Sequence, residues 1–205
     1  MLFEKIINIF DLYHQKRIIN YLKKLNLEYF IDVGAHKGEF LSYILTLNYK
    51  KIYCFEPQKK IFKILYKNFK NKKNIQIFNL GLAHKNSKIM FYESKLTSTS
   101  TFSRSKNTTF SKIKNLILNS NNSYIYKYPI NVRTLDEIFI NKKIFNIFLK
   151  IDVEGFELNV LKGAKKTLSK KVKFILIERH FFQLYKGNST KKVHIFLQYV
   201  IVYLV

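Results

Sequence analysis

The alternation of short apolar runs with segments of helical period constrains this chain more than any other feature. A run at Tyr29–Val33 enters a glycine-containing turn, after which Phe40, Leu41, Ile44, Leu45 and Leu47 recur at helical spacing. The unit repeats as Lys51–Phe55, the turn Glu56-Pro57 and a helix carrying Ile61, Phe62, Leu65, Tyr66 and Phe69, and a third run follows at Ile75–Leu80. Parallel pairing needs a crossover as long as these helices, and such crossovers are right-handed. The spacing therefore predicts an α/β fold on a mostly parallel sheet. Residues 2–25 have their own helical period (Phe3, Ile6, Ile7, Phe10, Tyr13, Ile18, Tyr21, Leu22, Leu25) and are expected to form a helical cap, 1–28, ahead of a domain at 29–205.

After the third run Lys88–Glu93 reads as an extra strand. A Ser/Thr/Asn-rich insert at about 94–131 is then expected to form a lid facing the substrate. The pattern resumes with a strand at Ile130–Arg133, a helix over Leu135–Ile140, a strand at Ile147–Asp152, a helix through Leu158, Leu161 and Leu168, and a strand at Val172–Glu178. Lys191–Val205 supplies a last helix and one short strand.

A chain of 205 residues with 47% hydrophobic and 16% aromatic content can bury a core and is too apolar for disorder. Its net charge of +24 would ordinarily suggest nucleic acid or an anionic surface. However, of 37 basic residues only Arg17, Arg104, Arg133 and Arg179 are arginine, and phosphate and base recognition favours the guanidinium fork. The lysine excess is read as solvated helix faces in an AT-rich coding background, so nucleic acid is not the expected partner. Cys54 stands alone, which excludes an intrachain disulfide or a multi-thiolate metal site and implies a reducing compartment. Met1–Phe10 makes a poor signal peptide, and no apolar run reaches the roughly 18 to 20 residues of a membrane span. The expected location is cytoplasmic.

The first turn reads Ile31-Asp32-Val33-Gly34-Ala35-His36-Lys37-Gly38. Glycine at a helix entrance lets a ligand approach the backbone, where a negative group is favoured. The middle glycine of the dinucleotide fingerprint is missing. Glu56 ends the second strand, where an acid can accept hydrogen bonds from both hydroxyls of a ribose. An acidic residue with a glycine turn and a strand-end acid suit an adenosine ligand without a pyrophosphate, S-adenosylmethionine, whose cationic centres Asp32 would face. The expected cofactor-binding residues in these two turns are Asp32, Gly34, Ala35, His36, Gly38, Glu56 and Pro57.

Beyond these residues the chain resembles the FkbM-like S-adenosylmethionine-dependent methyltransferases from about Phe30 to Glu178. The resemblance is carried by the Asp32–Gly38 turn, Phe55-Glu56-Pro57, Val132-Arg133-Thr134-Leu135-Asp136, Lys150-Ile151-Asp152-Val153-Glu154-Gly155-Phe156-Glu157 and Val160-Leu161-Lys162-Gly163-Ala164, with Thr97-Ser98-Thr99-Ser100 in the insert. It implies a class I methyltransferase sheet of order 3-2-1-4-5-7-6 with the last strand antiparallel, and O-methylation of sugar or polyketide hydroxyls. The chain departs from the usual class I pattern in two ways. Asn79-Leu80-Gly81-Leu82 lacks the acid that often holds the adenine amino group, so the resemblance implies that adenine relies on backbone groups and on Asn79 there, with Asn79, Leu80 and Gly81 as further cofactor-binding residues. Tyr199–Val205 supplies one strand of the closing hairpin only, which is expected to be incomplete.

Asp152, Glu154 and Glu157 cluster after the fourth sheet strand and Glu178 ends the fifth, beside Asp32 on the ligand edge of such a sheet. Asp152, Glu154 and His180 are the candidate bases for the acceptor hydroxyl, with His36 a weaker one. Glu157 reads equally as a charge at a helix N-terminus. Asp32, Asp152 and Glu178 could hold Mg²⁺ beside an acceptor diol, although metal-free transfer is the expectation. The expected partner is a small-molecule or glycan acceptor. The alternatives are a nucleic-acid methyltransferase and a binding module that has kept the fold but lost activity.

Overall fold

The computed structural model describes residues 17–94, 100–102 and 124–177. In chain order its elements are β1 (Tyr29–Val33), α1 (Glu39–Ile44), β2 (Lys51–Phe55), α2 (Lys59–Phe69), β3 (Ile75–Phe78), β4 (Gly81–Leu82), β5 (Ser87–Ser94), β6 (Tyr124–Arg133), α3 (Leu135–Phe139), β7 (Ile147–Ile151), α4 (Glu157–Lys162), α5 (Lys165–Lys171) and β8 (Val172–Ile177). Five strands form a parallel sheet of order β3-β2-β1-β7-β8. Counting only the strands of this sheet, that is 3-2-1-4-5, the expected order for its first five positions. The residues expected to form the closing hairpin lie beyond Ile177, outside the described residues, as does most of the expected N-terminal cap, of which residues 17–22 are helical.

Strand alternation sorts side chains onto two faces. Phe30, Ile52, Cys54 and Phe148 share a core with Leu41 and Ile44 of α1 and Leu65 and Phe69 of α2. Ile31, Val33, Tyr53, Phe55, Leu149 and Ile151 face a larger core built by Leu135, Phe139, Val160, Leu161 and Leu168 of the last three helices. Helices thus cover both faces, as the near-continuous apolar strands require.

A second sheet, β4-β6-β5, closes the larger core through Leu82, Phe91 and Val132. The strand expected at Ile130–Arg133 is longer, Tyr124–Arg133, and pairs antiparallel with β5 from Ser87↔Val132 to Ser94↔Tyr124. The C-terminal part of the expected insert is therefore strand. Its Tyr-Ile-Tyr-Lys-Tyr-Pro run alternates too weakly to stand out beside a Ser/Asn-rich tract.

Two of the sequence motifs have structural uses. Thr134 Oγ1 accepts from Glu137 N (3.1 Å) and caps α3. Asp136 accepts from Lys166 N (3.0 Å) and Thr167 N (2.7 Å), satisfying first-turn donors of α5, while its own N–H bonds to Gly163 O (3.0 Å). Gly163 is tight against the chain after β4: a Cβ there would lie 2.0 Å from the Ala83 carbonyl oxygen. Gly163→Ala is accordingly expected to cost about 2 kcal/mol or more, because backbone must move. Urea unfolding checks this, and an unchanged midpoint would refute the contact.

Candidate active site

The turn after β1 is built by left-handed residues: Gly34 (φ 83°), His36 (φ 49°) and Gly38 (φ 92°). Gly34 and Ala35 N–H both donate to Phe55 O, at 3.0 and 3.1 Å, stitching this turn to the end of β2. A Cβ on Gly34 would lie 1.8 Å from the Asp152 carbonyl oxygen. The glycine therefore admits the end of β7, which is a different reason from the ligand clearance expected of it. At Gly38 a Cβ would lie 2.3 Å from Phe69 Cε2, so this glycine lets α1 enter against α2.

The geometry of the turn sets the carboxylate of Glu56. His36 N donates to Oε2 (2.9 Å) and Gln58 N to Oε1 (2.8 Å), so each oxygen is held by one backbone donor and keeps a lone pair. The backbone around it is held from β3: Asn79 Nδ2 donates to Glu56 O and to Pro57 O, both at 2.9 Å. Glu56 is buried, and desolvation pushes its carboxyl up to about 7 although both amide donors and His36 pull it down.

A cleft of about 520 Å³ opens here, at the carboxyl ends of β1, β2 and β7. It is lined by Gly34, Ala35, His36, Glu56, Pro57, Asp152 and Glu154 from the expected set. Asp32, Gly38, Asn79, Leu80 and Gly81 are not among its lining residues: Asn79 is the clamp just described, Leu80 packs on the larger core, and Gly81 faces the Phe102 ring. Glu178 and His180 lie outside the described residues. Glu157 is buried and its Oε1 accepts from Gly155 N (2.8 Å), which fixes the entrance to α4.

Lys150 is the charged lining residue at the strand ends that the expected set lacked. It pairs in register with Asp32, and its buried Nζ lies 2.9 Å from Asp152 Oδ2, 3.6 Å from Asp32 Oδ1 and 5.5 Å from the Phe40 ring centroid. Asp32, expected to face a ligand's cations, is fully buried beside this ammonium. Burial pushes its carboxyl up, Lys150 pulls it down and Asp152 raises it again. One legible signal was a lone lysine inside the otherwise apolar run Ile147–Ile151.

The far wall comes from the insert. Thr101 exchanges backbone hydrogen bonds with Tyr92 (2.8 and 3.0 Å), Ser94 N donates to Ser100 Oγ (3.0 Å), and Thr101 Oγ1 donates to Glu154 O (2.6 Å). Phe102 packs between Phe91 (4.9 Å, edge on) and Phe156 (5.1 Å). Residues 100–102 are thus fixed core and cleft wall, and the remainder of the expected lid, with Thr97-Ser98-Thr99, lies outside the described residues. Gln58 lines the cleft while buried, and its Nε2 has no hydrogen-bond partner among the described residues. Among the described residues no group of three His, Cys, Asp or Glu could hold a metal ion, and no helix is long and apolar enough to cross a membrane.

The sheet order and a cleft spanning the strand ends beside a β2 acid define an α/β domain of the methyltransferase class. Residues 32–200 match the methyltransferase FkbM domain, and the chain belongs to that family. No curated protein matches it. Among solved structures, a candidate RNA methyltransferase from Pyrococcus horikoshii shares 23% identity over 32% of this chain and 34% of its own, with a TM-score of 0.28. The chain thus spans about a third of that protein. A candidate rRNA methylase from Clostridium thermocellum shares 10% identity over 89% of this chain and 78% of its own, with a TM-score of 0.47. Likenesses this loose carry no argument about acceptor or partner.

Glu56 makes stability depend on pH. Its folded value of about 7 exceeds the ordinary 4.5, so the folded state binds more protons in that window and stability falls as pH rises from 4.5 to 7. The stability difference between Glu56→Ala and the parent should therefore move in the variant's favour by on the order of 3 kcal/mol across the window. Urea unfolding at both ends measures this, and a constant difference would mean that Glu56 titrates normally.

Proposed function

We propose that the chain transfers a methyl group from S-adenosyl-L-methionine to a hydroxyl of a sugar, polysaccharide or secondary metabolite. The observation that carries this reading is Glu56: a buried carboxylate at the cleft, aimed by two backbone donors, with one lone pair per oxygen left for a ribose diol. Gln58, with its orphaned Nε2 on the same wall, supplies a further unpaired donor, and the cleft volume lies within the range of small-ligand sites. The residues present therefore fit the group that the family implies.

When bound, S-adenosylmethionine supplies a methyl on a cationic sulfur, which is displaced in line by the acceptor oxygen. The protein's part is mainly positioning. Glu56 and the Gly34–His36 turn hold the adenosyl side of the cleft. Lys150 orients Asp152 through the 2.9 Å contact, and Asp32 acts through Lys150 rather than by touching ligand. Phe91, Thr101 and Phe102 wall the opposite side and exclude water from it. The acceptor's proton passes to Asp152 or Glu154, the two carboxylates in the cleft from the β7–α4 turn, or to His180.

Two experiments test the reading. Hydroxyls donate best to an ionised Glu56, so affinity for S-adenosylhomocysteine should rise with pH up to about 7 and then level off. Glu56→Ala should weaken binding by roughly 1.5 to 3 kcal/mol and abolish the pH slope. Calorimetry across pH reads both, and unchanged affinity in a folded Glu56→Ala variant removes the ribose assignment. The base is identified by Asp152→Asn, Glu154→Gln and His180→Ala: one of them should lose about 10²- to 10⁴-fold in kcat while S-adenosylhomocysteine affinity holds. If all three retain kcat, none of these groups takes the proton.

A further inference from the structure

A second groove, of about 560 Å³, lies against the cleft between α2 and β6. The two share a border: Gln58 lines the cleft and Lys59 the groove, and Phe91 of the cleft wall has its ring 5.9 Å from that of Tyr128 in the groove. Lys59, Lys60 and Lys63 of α2 face Lys127 of β6 across it. All four are exposed, and none of their ammonium groups has an ion pair or hydrogen bond among the described residues. Glu93, the carboxylate lining the groove, is engaged by the Tyr128 hydroxyl at 2.9 Å.

Four ammonium groups thus stand against one carboxylate in the groove lining. Lys59 and Lys60 open an eleven-residue helix with no acid in its first turn, so the cations add to the positive end of the helix, where an anion is favoured. Beside them Tyr126 stands 61% exposed and offers a flat apolar ring at the groove wall. The volume suits a compact ligand rather than a strand of nucleic acid, which would need successive stacking rings along a track. No arginine fork lines the groove, and the lysines supply point charges that suit phosphate without base readout.

We propose that this groove holds the anionic part of the methyl acceptor, a phosphate ester of a saccharide. Phosphate sits among Lys59, Lys60, Lys63 and Lys127, and the apolar face of a sugar ring lies on Tyr126. The inference rests on the methyl-transfer reading for its role as acceptor site, but the binding itself is independent of that reading.

The test is calorimetry on the full chain, with and without S-adenosylhomocysteine. The probes are glucose, glucose 1-phosphate, UDP-glucose, a phosphomannan and a short single-stranded RNA. Glucose 1-phosphate should bind where glucose does not, and whichever of UDP-glucose and phosphomannan binds more tightly identifies a nucleotide-linked or a polymeric source. Lys60→Glu/Lys63→Glu should weaken the phosphate probes by about tenfold or more and flatten their salt dependence, leaving S-adenosylhomocysteine affinity unchanged. Lys127→Glu, on a different element, should act in the same direction. Equal binding of glucose and glucose 1-phosphate, unaltered binding by both variants, or RNA binding more tightly than every saccharide phosphate overturns the proposal. If the parent binds phosphate probes as expected but not S-adenosylhomocysteine, the groove stands and the methyl-transfer reading fails.

Discussion

The parallel pairing of β1 with β7 is the constraint on which the rest of the site depends. Its register sets Asp32 against Lys150 and Val33 against Ile151, and Asp152 N continues the ladder to Val33 O at 2.9 Å. The Asp152 carbonyl consequently crosses directly over Gly34, leaving no room for a side chain there. A one-residue slip would send Asp32 and Lys150 to opposite faces of the sheet and turn Asp152 out of the cleft. The fully buried run on β7 makes such a slip expensive, since every residue from Ile147 to Ile151 would exchange one packed environment for another.

Burying Lys150 beside two carboxylates does not by itself stabilise the fold, because desolvating the three groups opposes their attraction. The arrangement is better understood as a means of orientation. The ammonium fixes the partly exposed Asp152 while Asp32, fully enclosed, keeps the ammonium from being an isolated buried cation. Phe40 adds its ring face to the same charge. Cys54 lies opposite Asp32 on β2, and burial followed by the Asp32 charge pushes its thiol well up, so it serves as a small core residue rather than a nucleophile.

Much of this architecture was legible because burial on both faces writes strands as apolar runs: β1, β2, β7 and β8 lie where Tyr29–Val33, Lys51–Phe55, Ile147–Asp152 and Val172–Glu178 were read. Glu56 was legible because a strand-end acid has few other uses in such a sheet. Lys150 was harder to pick out, since among 33 lysines its only mark is the apolar run that encloses it, and that mark gains meaning once the strand is seen to be buried along its whole length. Thr101 and Phe102 were hidden in a polar tract whose composition gives no hint of the Tyr92 bridge. Gly38 and Asn79 were assigned to ligand because a turn glycine and a strand-end amide look the same whether they face a cofactor or another part of the chain. Within the chain Gly38 meets Phe69, and Asn79 ties the Glu56 and Pro57 carbonyls.

The Asn79 clamp also bears on how the site opens. Among the described residues β3 is the margin of the five-stranded sheet, four residues long and paired with β2 alone. Margins of this kind fray at far lower free energy than the centre of a sheet. Because a single amide at the end of β3 ties both carbonyls of the Glu56-Pro57 turn, detachment of that short strand slackens the turn while β1 and β7 stay paired. Loosening at the sheet's periphery would by this route reach the carboxylate side of the cleft with the central strands still paired.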